Sequence, residues 1–153
     1  MSDVLNSERT VRNLSELKEF WKELLPALKD RTILLMSGDV GAGKTTSVQL
    51  IAELLGMRDV QSPSFAIHLR YENAEGQSLD HLDLYRLKDD DDLESSGFWD
   101  LFSQQKSLII IEWANRLNYE FLPLNWQKIE IQFQKLSETT RKIKTQKVPG
   151  DFS

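Results

Sequence analysis

The residues with the most chemistry in their spacing are Gly38-Asp39-Val40-Gly41-Ala42-Gly43-Lys44-Thr45. They fit G-x-x-x-x-G-K-[ST], the pattern of a phosphate-binding loop. Glycines allow a tight turn that aims several backbone N–H groups at one anion. A helix that follows presents its positive end to the same place, and Gly38 to Thr46 form the expected nucleotide-binding run. Lys44 has the reach for β- and γ-phosphates, and Thr45 Oγ is a ligand for Mg²⁺. The same string also reads as a glycine-rich turn before an ordinary helix, so the flanking elements must decide.

Those elements come in the required order. Ile33-Leu34-Leu35-Met36 is a short apolar run, as a buried parallel strand requires. Val48, Ile51, Ala52 and Leu55 recur on one face of a helix, and Gly56 suits its C-terminal cap. Strand, loop and helix support nucleotide binding over a plain turn.

Hydrolysis at such a loop needs carboxylates for Mg²⁺ and for the attacking water. Glu112 follows Leu108-Ile109-Ile110-Ile111, which puts it at the carboxyl end of a second buried strand, where open α/β sheets bind ligands. It reads as a Walker-B-like acid in preference to a surface carboxylate. In His81-Leu82-Asp83-Leu84-Tyr85, period-2 alternation sets Leu82 and Leu84 on one face and His81, Asp83 and Tyr85 on the other. Spacing alone reads Asp83 equally well as the wet side of a half-exposed strand. Ser62-Pro63-Ser64-Phe65 is loop chemistry. The run Asp89-Asp90-Asp91-Asp92 reads as a solvated helix start, complementary to the dipole.

The 153 residues suffice for one domain with a core. A net charge of −5 argues against a broad grip on nucleic acid, which needs a basic surface. With no cysteine there is neither disulfide nor thiol catalysis. No apolar signal segment opens the chain, and no run approaches the roughly 20 apolar residues of a membrane span. A cytoplasmic protein without membrane contact is expected. Leu14, Leu17, Trp21, Leu24, Leu25 and Leu28 predict an amphipathic helix, capped by Asn13 with Glu16 and ended by Pro26. Residues 65–71 and 79–85 predict a hairpin, residues 88–102 one or two short helices, and residues 128–135 with 141–148 a closing hairpin. Residues 1–9 and 149–153 are expected to be loose.

Taken together, the glycine-rich loop, Ser62-Pro63-Ser64-Phe65, His81-Leu82-Asp83-Leu84-Tyr85-Arg86-Leu87 and Ile110-Ile111-Glu112-Trp113 occur in an order that resembles the TsaE (YjeE) family of small P-loop ATPases. The resemblance spans about residues 10–145, and Gly97 fits the family's acidic-leucine-glycine segment. It implies an ATPase that supports threonylcarbamoylation of adenosine 37 in tRNA by acting with a TsaB–TsaD complex, so that tRNA is an indirect partner. It implies ATP and Mg²⁺ as cofactors, with Lys44 on phosphate and Thr45 on Mg²⁺. Asp83 and Glu112 then serve metal binding and hydrolysis, and Trp113 lies beside the nucleotide. Ser64 stands where the family usually has Thr, and Ala114 where Pro often follows the tryptophan.

The fold expected is a single-domain α/β, P-loop NTPase-like domain over 1–153, with a mixed, mostly parallel sheet flanked by helices. Two rivals remain at this point. A small-molecule kinase would need an arginine-rich lid, which acidic residues 88–102 do not suggest. A nucleotide-gated binding module would make little use of Glu112. GTP is disfavoured because Asn115-Arg116-Leu117-Asn118 lacks the Asp that pairs with guanine. No arginine adjoins the loop motif, so slow hydrolysis in isolation is expected, with a partner completing the site.

Overall fold

The computed structural model describes residues 4–28, 30–39, 41–60, 68–84, 102, 107–112, 122–123 and 125–148. Helix α1 (Leu14–Leu24) starts as the sequence requires. Asn13 Oδ1 accepts from the Glu16 N–H at 2.8 Å, and Glu16 Oε1 accepts from the Arg12 N–H at 2.8 Å. The first bond satisfies a backbone donor that the helix start leaves over, and the return bond reaches the residue before the cap, one position earlier than in a standard capping box. Pro26 has no N–H to continue the ladder, so the chain tightens into the 3₁₀ turn Leu25–Ala27.

Helix α2 (Lys44–Leu54) ends in a Schellman cap. Gly56, at φ +65°, donates to Glu53 O at 3.1 Å, and Met57 N–H donates to Ala52 O at 2.9 Å.

Eight described strands form one sheet: β1 (Asn6–Val11), β2 (Thr32–Gly38), β3 (Arg58–Val60), β4 (His68–Glu72), β5 (Ser78–Asp83), β6 (Ser107–Glu112), β7 (Gln127–Lys135) and β8 (Arg141–Lys147). Their order is β1-β8-β7-β2-β6-β5-β4-β3. The four central strands, β7-β2-β6-β5, are parallel. Antiparallel strands extend both edges, so the mixed α/β architecture is parallel where the phosphate loop leaves it.

Burial explains the sequence patterns. On one face α1 and α2 cover Leu34, Met36, Ile110, Ile129, Ile131 and Phe133. On the other, Ile33, Leu35, Ile109, Ile111, Leu82 and Leu84 pack with Leu122 and Trp126. Strands β2 and β6 are therefore buried on both faces and read as continuous apolar runs. Strand β7 is buried on one face and alternates.

Three expectations change or fall outside the described residues. Residues 1–9 were expected to be loose, yet Asn6–Val11 is a strand on the sheet edge, paired in register with β8. Its polar side chains reflect a mostly exposed edge, so local composition carries no strand signal. Strand β3 was not expected from residues 58–60. The helices anticipated over 88–102 lie outside the described residues except Phe102, which meets Trp126 edge-on at 5.4 Å between centroids. No helix of the described residues is long and apolar enough to cross a membrane.

One glycine is required by the sheet itself. Gly38 has φ +138°, and a Cβ there would lie 2.2 Å from Phe133 O on β7. Gly38→Ala must shift backbone, so it is expected to cost ~2 kcal/mol or more in urea unfolding. An unchanged midpoint with an unchanged slope would contradict that packing.

Candidate functional site

The parallel register brings the chemistry together. Met36 on β2 and Asp83 on β5 both pair with Glu112 on β6. Both carboxylates thus stand at the carboxyl ends of strands, level with the point where β2 enters the loop. Odd positions of β5 and even positions of β6 share the face that carries α2. This is the alternation read from His81 to Leu84. His81 and Glu112, however, are buried instead of wet, at 7% and 4% exposure. Asp83 is half-buried.

A cavity of about 570 Å³ opens here. Gly41, Gly43, Lys44, Thr45 and Thr46 line it together with Asp83 and Glu112. Gly43 is the N-cap of α2 at φ +111°, and the first turn of the helix holds no acidic side chain. The positive end of α2 therefore faces the cavity with no acidic side chain of its own, and the nearby carboxylates come from other strands and the loop. Gly38, Asp39 and Ala42 do not line it. Gly38 and Asp39 act through their carbonyls, which accept from Lys44 Nζ at 2.5 and 3.5 Å. Ala42 is buried in the core beneath the loop. Val40, Trp113 and the segment Ser62-Pro63-Ser64-Phe65 lie outside the described residues, as do Tyr85, Asp89 to Asp92, Gly97, Ala114, the segment Asn115-Arg116-Leu117-Asn118 and residues 149–153.

Charge balance in the site centres on Lys44. Burial lowers the pKa of its ammonium below the ordinary lysine value, while the carboxylates of Glu112, Asp83 and Asp39 oppose that shift. Glu112 Oε2 accepts from Thr45 Oγ1 at 3.4 Å and shares a hydrogen bond with His81 Nε2. One carboxylate oxygen thus links the loop helix to the neighbouring strand.

Several lining residues carry no local sequence signal. Val11, Asn13, Leu14 and Leu17 come from the start of α1 and the strand before it. Glu138 and Thr139 come from the β7–β8 turn and Arg141 from the start of β8, and Arg141 Nη2 donates to Gly41 O at 3.0 Å. The sequence places no arginine near the loop, and the fold supplies one from 100 positions away. The available clue was the parallel β2–β7 pairing, which sets Gly38 against Phe133 and carries the hairpin tip past the loop. Alternation sets His81 on the same face as Asp83 but names no partner for it; its contact is with the Glu112 carboxylate.

Known proteins share this arrangement of chain. Residues 11–143 match the family described as threonylcarbamoyl adenosine biosynthesis protein TsaE. A Haemophilus influenzae protein named tRNA threonylcarbamoyladenosine biosynthesis protein TsaE is 36% identical over 101 residues, covering 65% of this chain and 63% of that protein. Its Aquifex aeolicus namesake is 32% identical over 138 residues, covering 84% of this chain and 92% of that one. The crystal structure of YdiB from Bacillus subtilis aligns with a TM-score of 0.69 at 28% identity, over 95% of this chain and 86% of that one.

Proposed function

The chain belongs to the TsaE family, and on that premise we propose that it is a Mg²⁺-dependent ATPase serving tRNA threonylcarbamoyladenosine biosynthesis. The observation that carries the ATPase reading is that Lys44, Thr45, Asp83 and Glu112 line the same cavity. Two carboxylates and a hydroxyl are all hard oxygen donors, the kind Mg²⁺ takes alongside substrate phosphates and water. Thr45, Asp83 and Glu112 would hold the ion, which when bound neutralises charge developing on phosphate oxygens.

The chain's own groups divide the remaining work. Lys44 and the first-turn N–H groups of α2 bind phosphate oxygens and stabilise charge as the γ-phosphoryl group departs. Glu112, held between Thr45 and His81, orients the attacking water. The experiment that tests this is ATP hydrolysis by the purified chain alone, then with TsaB–TsaD, then with tRNA. Phosphate release that requires Mg²⁺ and rises with the partners is expected. Transfer of phosphate to a metabolite, or no turnover in any mixture, would overturn the reading.

The reading includes a TsaB–TsaD complex as the docking partner, tRNA as an indirect one, and a cytoplasmic location. A chain of net charge −5 offers little for a phosphate backbone to bind. Calorimetry is expected to detect association with TsaB–TsaD that strengthens with ATP, because a ligand shifts an equilibrium only by binding one state better. Tight, salt-sensitive tRNA binding by the isolated chain, with nucleotide-independent association to the pair, would favour an RNA-binding role instead.

A further inference from the structure

We propose that Arg141 is a positioning residue for the phosphate loop, a brace through which the β7–β8 hairpin sets nucleotide affinity. The inference rests on the nucleotide-binding reading above. Arg141 is the first residue of β8, paired with Lys135 on β7 and with Val11 on β1. Its Nη1 donates to three carbonyls of the turn, Ser137 O at 2.8 Å, Thr140 O at 3.2 Å and Glu138 O at 3.3 Å. Its Nη2 donates to Gly41 O at 3.0 Å. One rigid planar group therefore fastens the turn to the loop, a geometry that suits the fixed fork of a guanidinium.

The contact bears on the site through the peptide plane. The C=O of Gly41 and the N–H of Ala42 belong to one planar trans unit and point in opposite directions. With Gly41 O on Arg141, the Ala42 N–H turns back and donates to Asp39 O at 3.1 Å. That same carbonyl accepts from Lys44 Nζ at 3.5 Å. Arg141, the Gly41–Ala42 peptide, Asp39 and Lys44 form one continuous chain of contacts. Gly41 needs such a restraint. It has φ +79°, and nothing lies within 4 Å of where its Cβ would be, so at this one position of the loop no neighbour packs against the backbone, whereas Ala42 is held in the core. A glycine peptide without packing neighbours has many conformations to lose when phosphate binds. A brace that removes them beforehand raises affinity by preorganisation.

The test titrates ADP and ATP into wild-type protein, Arg141→Ala and Arg141→Lys, and follows hydrogen exchange of the Ala42 amide without nucleotide. Arg141→Ala is expected to weaken ADP and ATP alike by about tenfold, or ~1.4 kcal/mol. Hydrolysis at saturating ATP should change by less than about threefold, since the loss lies in binding. Arg141→Lys keeps the charge but not the fork, and is expected to lose most of the same affinity. In both variants the Ala42 amide should exchange faster while the urea midpoint stays near that of wild type. If Arg141→Ala does not fold, Arg141→Lys decides alone. Wild-type affinity in Arg141→Lys would overturn the brace, and so would a loss confined to ATP, which signals direct contact with the γ-phosphate. Wild-type protein that binds neither nucleotide would instead remove the reading on which the brace rests.

Discussion

Lys44→Ala is expected to lose ATP turnover by more than about a hundredfold. Lys44 is 5% exposed, with its ammonium on the loop carbonyls of Gly38 and Asp39. It is the cation among Glu112, Asp83 and Asp39 that lowers the electrostatic cost of bringing in a polyanion. Removing it leaves the carboxylates facing the phosphates without that offset. Both binding and the charge of the transition state then suffer, so raising ATP should not restore the rate. The fold is expected to survive, because burial already disfavours the ammonium there. Phosphate release measured with and without TsaB–TsaD, on protein whose thermal unfolding matches wild type, checks this. Turnover close to wild type would remove the loop from the mechanism.

Glu112→Gln is the second large effect. The amide keeps the shape of the side chain and a hydrogen bond with His81 or Thr45, but loses the negative charge. Hydrolysis is expected to fall by about two orders of magnitude, as when an essential electrostatic contact in an active site is removed. Stability is expected to hold or rise. Glu112 is 4% exposed, and neutralising a buried charge removes a desolvation cost. Asp83→Asn, at a half-buried position on the neighbouring strand, should show the same split between rate and stability. Hydrolysis and urea unfolding on the same preparations separate the two roles. Full turnover in either variant removes that carboxylate from the site, and a collapse of stability would assign it to the fold.

Whatever depends on neighbours along the chain is legible in residue type and spacing. The loop was readable because Gly38 to Thr45 act through their own backbone, and the strand before and helix after obey short-range periodicities. The caps at Asn13 and Gly56 were legible for the same reason, since their bonds close within a few residues. Alternation predicted the faces of Leu82, Asp83 and Leu84. It left open whether the polar face was wet, because that depends on the helix laid over it.

Contacts between distant segments come from the fold alone. The edge strand Asn6–Val11 has a polar sequence and exists through pairing with β8, more than 100 positions away. The level alignment of Asp83 with Glu112 is a register between parallel strands, which no local pattern encodes. Arg141 reaches Gly41 because β7 lies beside β2 and its hairpin tip overhangs the loop. His81 meets Glu112 by the same kind of pairing across β5 and β6. Local chemistry is written in residue type and spacing. Which distant groups join it is set by strand order and register, and these follow from burying both faces of one sheet at once.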